Sequence, residues 1–424
     1  VLLSVLTLLL SACGADNTPT SQPTTIAATT AAATTVAATT AAASSSVAVK
    51  TVAPVPDGNR TGVTDTEIKL GASGPLTGGL AFLGTPIRVM SAYFKMINEQ
   101  GGIYGRKINY ITEDDAFDPA KSLDAIKKLI DQDQVLALTG VRSPAVPQLR
   151  DYLVQRKMPT IPFITSSTQL YEPPQKLIFG FLPPLTPDAK FAADYAIEQM
   201  HAKKLAILYQ SDSFGRDALA PFVAEVQAKD GSVVAQLSVK SADQDQDVSG
   251  LLNTLQQSGA DYLYIASGSI APVVSFLQQL NNWSTKPKVM LSYYLSDPGF
   301  YQSLGKSAEG LYSSWFALPP ENDDPKSVQF REFMKKYMPD EPINYYTQEG
   351  YIMGQIVVES LRRAGKDLSR ETFVAAAESI VNWRDSYANN ITFGPLNRSP
   401  INSVYVTQYQ NGKLLKVSDW YTLK

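Results

Sequence analysis

The stretch from Ile68 to Pro119 constrains this chain more than any other. Ile68 to Ala72 reads as a short apolar strand, and it breaks into Ser73-Gly74-Pro75-Leu76-Thr77-Gly78-Gly79. Ile87, Met90, Phe94 and Ile97 then recur at helical spacing until Gly101-Gly102 stops them. A second strand reaches Glu113-Asp114-Asp115, and Asp118-Pro119 opens the next helix. Strand, helix and strand in this order make a parallel βαβ unit. The Gly-rich loop falls at the carboxyl end of its first strand, where open α/β sheets hold their ligands.

The alternation continues. Val135 to Thr139 is a buried strand leading into Gly140-Val141-Arg142-Ser143, and Val146, Leu149 and Leu153 mark one face of the helix behind it. Thr160 to Ile164 opens into Thr165-Ser166-Ser167-Thr168, and Ile178 to Leu182 ends at Pro183-Pro184, a rigid exit. A second series starts after Thr186-Pro187-Asp188. Its strands are Leu205 to Tyr209, Tyr262 to Ala266 and Val289 to Ser292. They open into Asp212-Ser213-Phe214-Gly215-Arg216-Asp217, Ser267-Gly268-Ser269 and Tyr293-Tyr294. Leu311 to Ala317 reads as a returning strand, followed by helices over Pro325 to Tyr337, Thr347 to Ala364 and Arg370 to Ile380. Ser403 to Gln410 and Leu414 to Tyr421 form a hairpin about Asn411-Gly412. Two successive βα series imply an α/β fold with two Rossmann-like lobes, each on its own parallel sheet.

Length and charge fit that reading and exclude others. A chain of 424 residues suffices for two domains, and a formal charge of −3 with no basic stripe gives no footprint for nucleic acid. One His and one Cys leave no usual metal-ligand set and no internal disulfide, so no cofactor is expected. Asp114 and Asp115 could hold Mg²⁺ or act as paired carboxylates, but no third acid or phosphate-binding GxxxxGK[ST] accompanies them, and a solvated strand end is the plainer reading. His201 precedes Lys203-Lys204 and reads as an exposed loop residue. Ser143 or Ser166 as a nucleophile has no base to activate it. These features point away from an enzyme.

What remains is a binding cleft. Small hydroxyls and backbone N–H groups at strand ends suit a carboxylate, and Thr77-Gly78, Ser143, Thr165-Ser166 and Ser267-Gly268-Ser269 all fall in strand-to-helix loops. Each alone is more often a helix cap. Gly-Pro-Leu-Thr-Gly-Gly as a phosphate loop is weak on its own.

Residues 1 to 12 are an apolar run ending in Leu10-Ser11-Ala12 before Cys13, a lipobox-like ending that makes Cys13 the candidate lipid attachment site. No charged n-region precedes it, so further residues ahead of Val1 are expected. Residues 14 to 60 are rich in Ala and Thr, with almost no large apolar side chain up to residue 56, and read as a disordered tether. No run in the sequence reaches membrane-spanning length, so contact with a membrane is expected through the lipid alone.

The blocks IKLGASGPLTGGLAFLG, INEQGGIYGRKI and EDDAFDPAKS resemble the branched-chain amino-acid-binding proteins of bacterial ABC importers, and the resemblance runs over nearly all of the chain after residue 60. It implies a type I periplasmic binding protein fold with a three-segment hinge. The crossings would fall near Leu182 to Leu185, Trp315 to Leu318 and Pro400 to Asn402. One lobe would be 61–184 with 318–400, the other 185–317 with 401–424. The resemblance also implies an extracytoplasmic protein that clasps a small ligand and passes it to ABC permease subunits, or alternatively a sensor subunit that reports occupancy to a membrane partner. On the family's pattern, Ile164-Thr165-Ser166 is the turn that holds the ligand's carboxylate and ammonium. Phe214 falls on a family Tyr, and Leu83 replaces an aromatic. Val-Arg-Ser-Pro stands where many members carry serines, and Tyr293 stands at the position of the acid that binds the ammonium. One acid lost and one base gained, with Phe82, Phe214, Tyr293 and Tyr294 as apolar walls, favour an aromatic or other apolar carboxylate. An amide-like solute comes next, and an amino acid holds if Glu349 replaces the missing acid. The candidate ligand-binding set is Thr77, Gly78, Phe82, Leu83, Arg142, Ser143, Ile164, Thr165, Ser166, Phe214, Gly268, Ser269, Tyr293 and Tyr294.

Overall fold

Two separate sheets with parallel cores organise the chain. The computed structural model describes residues 60–165, 168–170, 173–240 and 246–423, all within one compact unit. The leader, Cys13 and the tether up to residue 59 lie outside the described residues, as does Ser166.

The first sheet has five strands in the order β2-β1-β3-β4-β5. They are β1 (Glu67–Gly74), β2 (Lys107–Asp114), β3 (Ala137–Leu138), β4 (Thr160–Phe163) and β5 (Ile178–Gly180). Every pairing in it is parallel. Helices α1 (Thr85–Glu99), α2 (Pro119–Asp131) and α3 (Val146–Gln155) make the crossovers. Ile87, Met90, Phe94 and Ile97 form the buried face of α1, and Asp118 caps α2 by accepting from the amides of Ala120 and Lys121.

After β5 the chain enters α4 (Leu185–Glu198) and the second sheet. There follow β6 (Lys204–Gln210), α5 (Ser213–Ala228), β7 (Ser232–Val239), α6 (Ser249–Ser258), β8 (Tyr262–Ala266), α7 (Ile270–Leu280), β9 (Lys288–Leu291), α8 (Pro298–Leu304) and β10 (Tyr312–Trp315). β8 is buried along its whole length, as a central parallel strand covered on both faces must be. The chain then returns through α9 (Pro325–Tyr337), α10 (Tyr345–Ala364) and α11 (Arg370–Glu378), with α10 packed on α1. Last come β11 (Ser403–Gln410), β12 (Lys413–Lys416) and β13 (Tyr421–Thr422). β11 joins the second sheet antiparallel to β10, giving the order β12-β11-β10-β9-β8-β6-β7, with β13 on β11.

The expected α/β architecture with two parallel-cored sheets is therefore present. Several details differ. β7 and α6, and likewise α8, occupy stretches to which the sequence pattern assigned no element, and β3 is shorter than the expected Val135 to Thr139. α10 begins at Tyr345, two residues before Thr347, because Asn344 and Thr347 close a reciprocal capping box. The C-terminal hairpin turns about Asn411-Gly412, but its second strand ends at Lys416 and pairing resumes at β13.

Candidate functional site

The carboxyl ends of β1, β3 and β4 belong to the first sheet and those of β6, β8 and β9 to the second, and the loops leaving them carry the candidate residues. Gly140, at φ +71°, makes the turn out of β3. A Cβ there would lie 2.8 Å from Met90 Sδ and 2.9 Å from Tyr110 Oη, so the turn demands glycine. It delivers Arg142 to a nearly buried position, where Nη2 lies 2.8 and 3.1 Å from the two oxygens of Glu349 on the first turns of α10. The Glu349 side chain is fully buried. Burial pushes its carboxyl up to about 7, against the pull of Arg142. Burial also works against the guanidinium, but Glu349 and the phenols of Tyr345, Tyr346 and Tyr294 outweigh it and keep Arg142 charged. Arg142 Nε is buried without a hydrogen-bond partner among the described residues.

Aromatic rings run past this pair from one lobe to the other. Phe82 meets Tyr346 edge-on at 5.6 Å, Tyr346 meets Tyr345 at 4.9 Å, and Tyr345 lies 5.4 Å from Trp315 and 6.3 Å from Phe316. Phe316 contacts Tyr293 at 5.9 Å, Tyr293 contacts Tyr294 at 4.9 Å, and Tyr294 meets Phe214 at 4.8 Å. The guanidinium of Arg142 sits 5.9 Å from the Tyr346 ring, within cation–π range. Tyr345 Oη, Ser292 Oγ just after β9 and Asp297 Oδ2 just before α8 are also buried without a hydrogen-bond partner among the described residues. The other Asp297 oxygen caps α8 by accepting from Gly299 N at 2.8 Å. Burial raises the Asp297 carboxyl, and the Tyr345 amide faces it.

Not every candidate faces this cluster. Thr77 is exposed and donates its hydroxyl to Asp114, which also accepts from the Leu76, Thr77 and Ala116 amides. That tie holds the Gly74–Gly84 loop, leaves Gly78 exposed at its tip, and draws the Asp114 carboxyl down to about 2, chiefly through the Thr77 hydroxyl. Asp115 is buried and accepts from Ser73, Ser122 and the Phe117 amide. The two acids thus brace a loop, and no group of three potential metal ligands occurs among the described residues. Ser143 accepts from Ala145 N at 3.0 Å, a turn into α3. Ser269 Oγ donates to Gln210 Oε1 at 3.2 Å and the Lys240 carbonyl at 3.1 Å, and Gly268 N donates to the same Gln210 oxygen. Ile164 is buried, its amide on the Val141 carbonyl, while Thr165 and Leu83 are half-buried. Tyr293 is fully buried, and its hydroxyl donates to the Pro183 carbonyl at 2.5 Å. That places Tyr293 as a brace on a segment joining the lobes, and the phenol donates there instead of accepting.

Sequence reasoning passed over Tyr345, Tyr346, Asp297, Ser292 and Gln210. The adjacent tyrosines after Asn344 were the available signal, since a capped first turn aims two neighbouring side chains out of the helix start.

Among curated proteins, the Leu/Ile/Val-binding protein homolog 3 of Brucella melitensis is 22% identical over 356 residues, 82% of this chain and 93% of that one. A fatty acid ABC transporter substrate-binding protein from Thermomonospora curvata has a TM-score of 0.73 at 24% identity, covering 85% of this chain and 94% of that one. A branched-chain amino acid ABC transporter structure from Thermus thermophilus, with bound valine, gives 0.73 at 20%, covering 85% and 97%. At such identities the solved structures speak for the type I fold. The profile of the family described as periplasmic binding protein matches residues 67–413, most of the chain, and the chain belongs to that family.

Proposed function

We propose that the protein captures a small carboxylate-bearing solute, amino-acid-like or aromatic, between its two lobes and delivers it to an ABC permease. The observation that carries this reading is the buried Arg142 guanidinium, with its Nε–H unpartnered, beside an aromatic wall that spans both lobes. A guanidinium pairs with a carboxylate through parallel N–H donors, and the rings suit the apolar remainder of the ligand. The relatives agree in chemistry: valine and a fatty acid are both carboxylates on an apolar body. Closure about the three connections between the lobes would seal the ligand in. Delivery to a permease rests on the Thermus and Thermomonospora relatives' names. Anchoring through a lipid on Cys13 rests on Leu10-Ser11-Ala12-Cys13 and the Ala/Thr-rich segment behind it. No helix among the described residues is long and apolar enough to cross a membrane.

The test is native mass spectrometry of freshly purified protein, followed by a thermal-shift screen of amino acids, arylcarboxylates and fatty acids. A ligand at about 100 times its Kd stabilises by about 2.7 kcal/mol. A carboxylate among the hits whose shift is lost in Arg142→Met is expected; hits confined to solutes without a carboxylate would refute the reading. For the anchor, Cys13→Ala is expected to release the protein from the membrane fraction with ligand affinity unchanged.

A further inference from the structure

Arg142 carries its own counter-ion. Its Nη2 is held by both oxygens of Glu349, which has no other side-chain hydrogen bond among the described residues. With Glu349 ionised the pair is neutral before any ligand arrives, and Asp297 adds a second acid close enough to Tyr346 to act on its phenol. A carboxylate docking on the free Nε–H of Arg142 brings another negative charge into a buried site. Two carboxylates that share one cation resist being ionised together. An α-amino carboxylate escapes the conflict, because its ammonium supplies the missing positive charge and can donate to Glu349 or to the unpartnered Oδ2 of Asp297.

We infer that Glu349 is a specificity-determining residue. It admits ligands of zero net charge as it stands, and admits a monoanionic carboxylate only by taking up one proton from solvent on its own carboxyl. The inference rests on the reading that the ligand's carboxylate docks at Arg142. The groups that face Glu349 leave it as the proton acceptor. Arg142 stays charged, and burial pushes the Tyr345 and Tyr346 phenols up and away from neutral pH. Tyr294 approaches from the second lobe as a third phenol, and α1 presents Pro86, Val89 and Tyr93 along α10. A buried carboxyl that titrates near 7 accepts the proton without a large change in pH.

The test uses matched probes: L-phenylalanine against 3-phenylpropionate, and L-leucine against 4-methylpentanoate. Isothermal titration of the wild-type protein in phosphate and in Tris, whose ionisation enthalpies differ, counts protons taken up and needs no variant. At pH 8, where Glu349 is mostly ionised, close to one proton is expected with each deaminated acid and close to none with each amino acid. Correspondingly, Kd for the deaminated acids should weaken up to tenfold per pH unit above about pH 7, where the free Glu349 carboxyl ionises, while Kd for the amino acids stays level there. Glu349→Gln, which keeps shape and removes charge, should abolish the proton uptake and tighten the deaminated acids at pH 8 by about tenfold. Deaminated acids that bind with no proton uptake, or discrimination unchanged in Glu349→Gln, would overturn the role of Glu349 and leave the carboxylate site standing. If no probe of either kind binds, the docking of a carboxylate at Arg142 falls, and the inference with it.

Discussion

Removing Arg142 would strand the Glu349 carboxylate in the protein interior. Breaking a buried pair from one side costs roughly 3–5 kcal/mol, whereas replacing both partners by apolar groups is often neutral or better. Arg142→Met is therefore expected to lower the urea unfolding free energy by about 3 kcal/mol near pH 8, with a smaller loss near pH 5, where Glu349 can protonate. Arg142→Met with Glu349→Leu should recover most of it. Asp188 offers a second check at this scale. It is fully buried on α4, accepts from Tyr264 at 2.7 Å and Ser314 at 2.6 Å, and burial pushes its carboxyl to about 6. The folded protein thus holds the Asp188 proton more tightly than the unfolded chain. Its contribution to stability is full below the ordinary carboxylate range and is lost as pH rises through about 6. Asp188→Asn should consequently cost more at pH 4 than at pH 7 in paired urea titrations. Arg142 could be picked out from its place after a strand end. Its partner, 207 residues further along, could be named as a possibility but not seated, because no local pattern links the two. Tyr293 and Tyr294 could not be told apart either: they sit side by side in a 3-10 turn after β9, their rings 4.9 Å apart, and only packing decided which one braces Pro183.

The element that assembles the site is α10. Its N-terminus sets Tyr345, Tyr346 and Glu349, and its depth is set by α1. A Cβ on Gly350 would lie 2.5 Å from the Pro86 carbonyl and 2.7 Å from Val89 Cβ, so the two helices meet backbone to side chain there. On an exposed helix Gly→Ala stabilises by up to about 1 kcal/mol. Here the clash decides the sign, and Gly350→Ala is expected to destabilise by roughly 1–3 kcal/mol, as overpacking does. It should also weaken ligand binding, since a shift of α10 on α1 moves Glu349 and Tyr346 with it; a urea midpoint at or above wild type would refute this packing. Elements with strong periodicity, such as α1, β6, β8 and α9, were legible in the sequence because one physical signal dominated each. β7 and α6 were not. Ser232–Val239 mixes small polar residues into its alternation, and Ser249–Ser258 offers only Leu251, Leu252 and Leu255 as an apolar face. Both are stabilised by β6 and β8 beside them, which is information the local window lacks.

At the scale of the whole molecule, the connections between the sheets govern what ligand binding can do. The chain passes between them after β5, after β10 and before β11, and hydroxyl side chains hold the passing backbone. Tyr293 donates to the Pro183 carbonyl, Ser399 to the Leu182 carbonyl at 3.0 Å, and Tyr405 to the Ala317 carbonyl at 2.8 Å. Leu318 N also donates to the Tyr387 carbonyl, and Thr392 N to that of Pro400. Each connection is braced at a point and paired over only a few residues, so rotation there disturbs few hydrogen bonds while both sheets stay intact. A ligand favours one arrangement of the lobes only by its differential affinity for it. On the proposed reading, a carboxylate on Arg142 from the first lobe, with its apolar part against Tyr294 and Phe214 from the second, would favour the arrangement in which both lobes touch it. Solution X-ray scattering is therefore expected to give a smaller radius of gyration with a saturating amount of a probe that raises the melting temperature. In Tyr293→Phe the brace on Pro183 is gone, worth about 1 kcal/mol for one such hydrogen bond. Loss of the brace leaves the ligand's contacts with both lobes in place, so the variant is expected to melt lower yet still contract. Scattering curves that superpose with and without a bound probe would show that the ligand does not bridge the lobes.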